Sequence, residues 1–320
     1  MIHRTLLIGL GKIGMGYDIG TYARDAVFSH ARAVSIHKDF ELVAAVESDQ
    51  EKRNLFTSTY KRPAYSTLIE ALRNIEVEVA IVATPSATHY SVIQQLLEIS
   101  PPKLLLCEKP LALRHQEGSD IVAMCEKRGV QLVVNYMRRS EPGAMKVGEW
   151  LSESRICPPV VGVVWYSGGF FNNGSHFFNL ARSWLGRKLS GKPLSVPIFR
   201  TDGDIELDVE IEFEKGRLMF LRSPIENASH HSIEMLASNG RLKYDFNGEV
   251  IEWYPLMQGD SLSGSRSLSR TAQTIRSELS FYQLHVLNQV SRSLAGRHAA
   301  LCDGYDALET LSDMHSILED

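Results

Sequence analysis

Apolar residues fall in short unbroken runs through the first half of this chain and in alternation through much of the second. Residues 6–8, 40–46, 77–83, 103–107 and 130–135 form runs of strand length that carry almost no polar side chain. Runs of that kind predict strands buried on both faces. Between them, residues 30–37, residues 90–99 and the stretch holding Ile121, Val122 and Met124 place apolar side chains at helical spacing. Strand and helix in regular alternation predict βαβ units and a doubly wound parallel sheet. The second half reads differently. A connecting helix is expected over 141–154 and a strand over 160–166, while residues 204–213 alternate acid and apolar as a strand with one wet face does. Lys215-Gly216 turns that strand into another over 217–221, and Asn239-Gly240 joins strands expected over 232–236 and 241–246. A strand over 250–254, a Ser- and Gly-rich mobile loop over 258–269, and helices over 271–294 and 305–318 complete the pattern. The fold class expected is α/β for residues 1–136, followed over 137–320 by an α+β domain with a largely antiparallel open sheet.

Composition narrows the function classes. The chain has 320 residues, 44% of them apolar and 22% charged, with a formal net charge of −4. Length and apolar content suit two globular domains. No basic patch dominates, so nucleic acid is not an expected partner. No apolar run approaches the length of a membrane span, and the N-terminus reads as a strand rather than a signal peptide. Cys107, Cys125, Cys157 and Cys302 are scattered, which argues against a disulfide framework or a zinc site and fits a cytoplasmic, reducing location. His230-His231 has no nearby cysteine or paired acid, so no metal is expected there.

The chemistry begins at the first strand end. Residues 6–8 lead straight into Gly9-x-Gly11-x-x-Gly14, with Lys12 and Ile13 inside the turn. In this fingerprint the first glycine allows a tight turn and the second lets backbone N–H groups approach a pyrophosphate. The third permits close strand–helix packing. The acid that holds the ribose hydroxyls belongs at the end of the second strand, where Glu47 stands. It arrives late because a polar, glycine-rich insertion follows Gly14, which is expected to cover the cofactor or the substrate mouth. Glu47 repels a 2′-phosphate, so NAD is the expected cofactor, with Lys52 and Arg53 keeping NADP as the alternative. Later strand ends carry Thr84-Pro85, with His89 just beyond, and Glu108-Lys109-Pro110. Ligands of open α/β sheets gather at such ends.

These motifs, together with Gly168-Gly-Phe-Phe-Asn-Asn-Gly-Ser-His176, make the chain resemble the Gfo/Idh/MocA family over essentially its whole length. The resemblance implies an NAD(P)-dependent oxidoreductase moving a hydride between nicotinamide and a secondary alcohol or ketone of a sugar, cyclitol or nucleotide-sugar derivative. It also implies a homodimer or homotetramer paired through the open sheet. Such chemistry needs a group to take the hydroxyl proton as the hydride leaves. Lys109 is the first candidate, a lysine on the surface paired with Glu108 being the alternative. The resemblance gives Lys109 contacts to cofactor and substrate and has Glu108 shape the nicotinamide site. His176 is the second candidate, against a histidine merely packed at a helix terminus.

The resemblance pairs this histidine with an acid four residues earlier, where this chain has Asn172, and often with another acid three residues later, where it has Asn179. An amide orients a hydroxyl but accepts no proton from it. Two other functions on the same fold therefore stay open: a redox-inactive sugar- or cofactor-binding protein, and an NAD-dependent glycoside-cleaving enzyme. Tyr136, Arg138 and Arg139 end the first domain, and the arginine pair either clamps a substrate carboxylate or phosphate or forms an interdomain salt bridge. Tyr166 and Asn173 are expected to bind substrate hydroxyls, and His89 to position the loop beside the cofactor.

Overall fold

The computed structural model describes residues 2–20, 26–225, 229–257 and 266–318. Its contacts form two units, Met1–Ser140 with Ser280–Glu309 and Glu141–Leu279 with Thr310–Asp320.

The first unit is built on β1 (His3–Ile8), β2 (Phe40–Val46), β3 (Ala64–Tyr65), β4 (Val79–Val82), β5 (Leu104–Cys107) and β6 (Gln131–Val134). They lie side by side as β6-β5-β4-β1-β2-β3, every pair parallel. The short strand Cys302–Asp303 adds antiparallel to the free edge of β6. Successive strand residues supply opposite faces. Leu6 and Ile8 join a core with Ile93, Leu96 and Ile121 from the helices His89–Ile99 and His115–Lys127. Leu7 joins the other core with Val34 and Phe56, from α1 (His30–Ile36) and α2 (Gln50–Tyr60). This two-sided burial is why the runs are continuous.

The chain builds outward from β1 to β3, then returns to the other side of β1 with β4. The crevice between β1 and β4 is thus the switch point where ligands of such sheets bind.

The first unit breaks at Ser140, near the boundary expected at residue 136, and Ser280–Glu309, expected in the second domain, groups with the first unit. Helix Tyr282–Leu294 explains this: its Val286, Leu287 and Val290 are buried in the same core as Leu7 and Val34.

In the second unit, β7 (Val160–Tyr166), β8 (Lys188–Pro193), β9 (Val209–Phe213), β10 (Gly216–Arg222), β11 (Ser232–Ala237), β12 (Gly240–Asp245) and β13 (Val250–Met257) form one sheet. Its order is β13-β12-β11-β7-β10-β9-β8. The pairing is antiparallel except between β7 and β10, which run parallel. Helices Pro142–Ser152 and Ser175–Leu185 pack on one face through Trp150, Leu151, Phe178 and Trp184.

Three expectations are corrected in this unit. The strand expected over 204–213 is broken into Ile205–Glu206 and β9, although Ile205, Leu207, Val209, Ile211 and Phe213 all stay buried. The break occurs where the Tyr166 hydroxyl takes over the backbone of Leu207, accepting its N–H at 2.8 Å and donating to its carbonyl at 2.6 Å. Residues 271–278 are not helical. Gln273–Ile275 instead pairs with β13, which buries Ile275 beside Ile251. The loop expected over 258–269 lies outside the described residues up to 265, and Ser267–Leu268 forms a short strand against β13.

Candidate functional site

At the end of β1, Gly9 adopts φ +99°, and a Cβ there would stand 2.6 Å from the Ala83 carbonyl oxygen at the end of β4. A Cβ on Gly14 would stand 2.2 Å from the Gly9 carbonyl oxygen. Gly11 is different, for a Cβ there meets nothing within 4 Å. Two glycines thus serve the fold and the third keeps backbone open to a ligand. The turn closes helically, with the N–H groups of Met15 and Gly16 donating to the Gly11 carbonyl at 3.0 Å and Tyr17 N–H to Lys12 at 2.9 Å. The N–H groups of His30 and Ala31 then donate to the carbonyls of Ile13 and Gly14, at 3.0 and 2.9 Å. So α1 takes up the helical hydrogen bonding the turn began, and the intervening segment is looped out of one helical path. Asp18 ties the loop's ends together by accepting from the N–H and hydroxyl of Ser29, both at 2.7 Å. Residues 21–25 of the insertion lie outside the described residues, and among those described Tyr17 reaches the neighbouring cavity.

That cavity, about 1060 Å³, runs along the switch point and is bounded by Gly9, Gly11, Lys12, Ile13, Glu47 and Thr84 with Pro85. Glu47 Oε2 accepts the Leu10 N–H at 2.8 Å, so its carboxylate also braces the glycine turn. Arg53 turns away from the cavity: its guanidinium donates to the carbonyls of Glu47 at 2.6 Å and Ser48 at 2.7 Å. Lys52, Ser48, Ser66 and Thr67 line the same end, and the last two carried no motif in the sequence. The group the fingerprint implies, a dinucleotide, fits this cradle. The space beside Gly11 admits phosphate, and Glu47 offers a carboxylate at the ribose end.

His89 is fully buried and does not line the cavity. Its Nε2 lies 3.0 Å from the Thr84 carbonyl, and its Nδ1 lies 3.1 and 3.2 Å from those of Pro110 and Leu111. It holds two strand-end loops together. As a direct cofactor contact it is corrected, because its nitrogens face backbone carbonyls.

Glu108 leaves β5 into a buried network that the sequence did not announce. Its Oε1 accepts from His30 Nε2 at 2.7 Å and from Asn135 Nδ2 at 2.6 Å, and Asn135 also donates to Gln283 at 3.2 Å. Burial alone raises a carboxyl pKa. Here the bond and charge of His30, the Asn135 amide and the charge of Lys109 outweigh it and hold Glu108 below its ordinary value. Lys109 follows, half-buried, with its charge acting on Glu108. A depressed folded pKa adds stability that is complete above the ordinary value of 4.5 and is lost as pH falls through the folded value. Glu108→Gln is therefore expected to cost about 1–3 kcal/mol at neutral pH and to flatten the fall in stability below that value. Urea midpoints measured against pH for both proteins check this, and an unchanged acid limb counts against it.

The arginine pair separates. Arg139 is bound to Asp306 and donates to the Leu301 carbonyl at 3.4 Å, all within the first unit. It is neither an interdomain bridge nor open to a substrate anion. Arg138 and Tyr136 are buried.

In the second unit, Tyr166 is fully buried and its hydroxyl is committed to Leu207, so its expected substrate contact is corrected. Burial pushes its phenol pKa up. The loop beyond β7 is braced by Asp204, whose carboxylate accepts from the N–H groups of Phe171 at 3.0 Å and Asn172 at 2.8 Å. Asn172 is exposed, and Asn173 and His176 are half-buried at the start of helix Ser175–Leu185. Asn179 is fully buried and donates to Thr310 at 2.9 Å.

A doubly wound parallel sheet with a glycine turn and a cavity at its switch point defines a dinucleotide-binding protein of the Rossmann class. Residues 3–136 match the Gfo/Idh/MocA family model, described as an oxidoreductase family with an NAD-binding Rossmann fold. The first unit is thus similar to this family over the greater part of its length. The uncharacterized oxidoreductase YrbE of Bacillus subtilis is 27% identical over 191 residues, 53% of this chain and 53% of that protein. The chain thus spans about half the length of this and several other curated relatives. Myo-inositol 2-dehydrogenase of Thermotoga maritima is 24% identical over 341 residues, 96% of this chain and 97% of that one. The WlbA dehydrogenase from Bordetella pertussis, solved in complex with NADH and UDP-GlcNAcA, shares the fold with a TM-score of 0.77 at 18% identity, covering 99% of this chain and 95% of that one. No helix among the described residues is long and apolar enough to cross a membrane.

Proposed function

We propose that the protein is an NAD-dependent oxidoreductase that interconverts a secondary alcohol and a ketone on a sugar, cyclitol or nucleotide-sugar derivative. The observation that carries this reading is the row of strand ends in the first unit, where Gly9–Gly14, Glu47, Thr84-Pro85 and Glu108-Lys109 share the carboxyl edge of one sheet. Bound NAD supplies the hydride acceptor. Lys109 as the neutral amine takes the hydroxyl proton and becomes the ammonium, whose charge the Glu108 carboxylate beside it balances. Asn172 and His176 are assigned to substrate hydroxyls, with the amide orienting and the imidazole able to exchange a proton. Arg138 is retained as a substrate contact and Arg139 is not. The inositol dehydrogenase and WlbA relatives support a polyol or nucleotide-sugar substrate. Val161 and Leu236, cross-strand neighbours that are both exposed, support pairing of two copies through the open sheet.

The test is absorbance of reduced nicotinamide when the protein meets NAD with a panel of inositols, sugars and nucleotide sugars. A tight ligand that gives no reduction overturns the reading. Because Arg53 is spent on carbonyls while Glu47 faces the cavity, NADH should bind about tenfold or more tighter than NADPH, the scale of one like-charge contact. Fluorescence titration with each decides it, and tighter NADPH binding refutes the role of Glu47.

A further inference from the structure

The second unit holds a cavity of about 650 Å³ of its own, beside the loop that follows β7. Its wall includes Ser167, Asn173, Arg200, Glu206, Arg222 and Ser229. The wall is built rather than incidental. Gly168, at φ +77°, leaves room for the Asn173 amide, which a Cβ there would approach to 2.6 Å. That amide donates to the Ser167 carbonyl at 2.9 Å.

The two arginines are not equivalent. Arg200 has an acceptor at each of its three nitrogens, donating to both Asp202 oxygens at 3.0–3.2 Å and to Glu206 at 2.8 Å. Among the described residues the Arg222 guanidinium has a single long ion pair, from Nε to Asp208 at 3.7 Å. Its Nη1 is shut off from solvent and finds no acceptor among the described residues. The rest of the side chain is one-third exposed and lines the cavity, where an oxyanion can take its outward N–H groups in a charge-assisted pair. Around it stand a carboxylate, hydroxyls and an amide, the set that takes sugar hydroxyls. The volume falls in the range of small-molecule sites, a few hundred to about a thousand Å³.

We propose that this cavity binds the anionic end of a polyhydroxylated ligand, a carboxylate or phosphate on a sugar, with Arg222 taking the oxyanion and Glu206 the neighbouring hydroxyls. The identity of that ligand as the enzyme's substrate rests on the oxidoreductase reading above, whereas the binding does not.

Calorimetric titration of the full chain with D-glucuronate, D-glucose 6-phosphate and D-glucose tests it, the two anions distinguishing carboxylate from phosphate. At least one anion should bind more tightly than glucose. Arg222→Met should weaken that anion about tenfold or more, the worth of a charge-assisted hydrogen bond, and move glucose by less than about twofold. An unchanged urea unfolding profile of the full chain shows that the variant is folded. If Arg222→Met does not fold, Arg222→Lys keeps the charge but loses the fork, and must still weaken the anion more than glucose. Equal binding of all three probes, or anion binding indifferent to both variants, overturns the proposal. Arg222-dependent binding without any nicotinamide reduction keeps the site and rejects the oxidoreductase reading. Polyol oxidation without an Arg222-dependent preference does the reverse.

Discussion

Lys109→Met is expected to lower kcat by about a hundredfold to ten-thousandfold, the usual worth of a positioned proton acceptor. NADH affinity should stay close to that of the parent protein. The contrast between the two readouts follows from where the residue sits. Lys109 stands just past the end of β5, while the glycine turn and Glu47 sit at the ends of β1 and β2 and do not depend on its side chain. Methionine keeps an unbranched stem in a half-buried position and removes only the amine. Single-turnover reduction of NAD, read beside a fluorescence titration, separates chemistry from binding. Near-normal turnover removes Lys109 from the mechanism and shifts the proton to His176. Loss of NADH binding in step with turnover reassigns Lys109 to holding the cofactor.

The sequence made some of this legible and hid the rest, for physical reasons. Strands buried on both faces announce themselves as continuous apolar runs, so β2, β4, β5 and β6 are readable to within two residues and β1 to within three. The strand ends, and with them the glycine turn, Glu47 and Glu108-Lys109, followed from the same runs. What stayed hidden depends on residues far apart in the chain. His30 and Glu108 are 78 positions apart, and nothing near His30 distinguishes it from any residue opening a helix. Tyr166 looked like a hydroxyl ligand because it ends a strand beside a glycine loop. Its partner, the backbone of Leu207, lies 41 positions on inside what reads as one unbroken strand. Arg139 was ambiguous for the same reason, since Asp306 comes 167 positions later. Gln273–Ile275 shows the converse error. Its spacing allows a helix, but the ladder with β13 buries Ile275 and decides the matter.

The glycine turn gives the second large effect, because its three glycines should fail in different ways. Gly9→Ala must place a side chain at φ +99° and within 2.6 Å of the Ala83 carbonyl oxygen. Left-handed strain of about 1–2 kcal/mol and overpacking of about 1–3 kcal/mol together cost several kcal/mol. That is a large part of the 5–15 kcal/mol that holds an ordinary domain folded. Gly14→Ala should be comparably damaging, because the atom 2.2 Å away is the backbone oxygen of Gly9 and cannot rotate aside. Gly11→Ala meets nothing within 4 Å and needs no unusual φ, so its urea midpoint should match the parent or rise slightly. It should nevertheless weaken NADH at least about tenfold, because the new methyl occupies the approach of the pyrophosphate to the turn. Chemical denaturation and fluorescence titration of the three variants give the pattern directly. Should Gly11→Ala bind NADH like the parent, the phosphates do not cross this turn, and the assignment of the cavity to the dinucleotide falls with it.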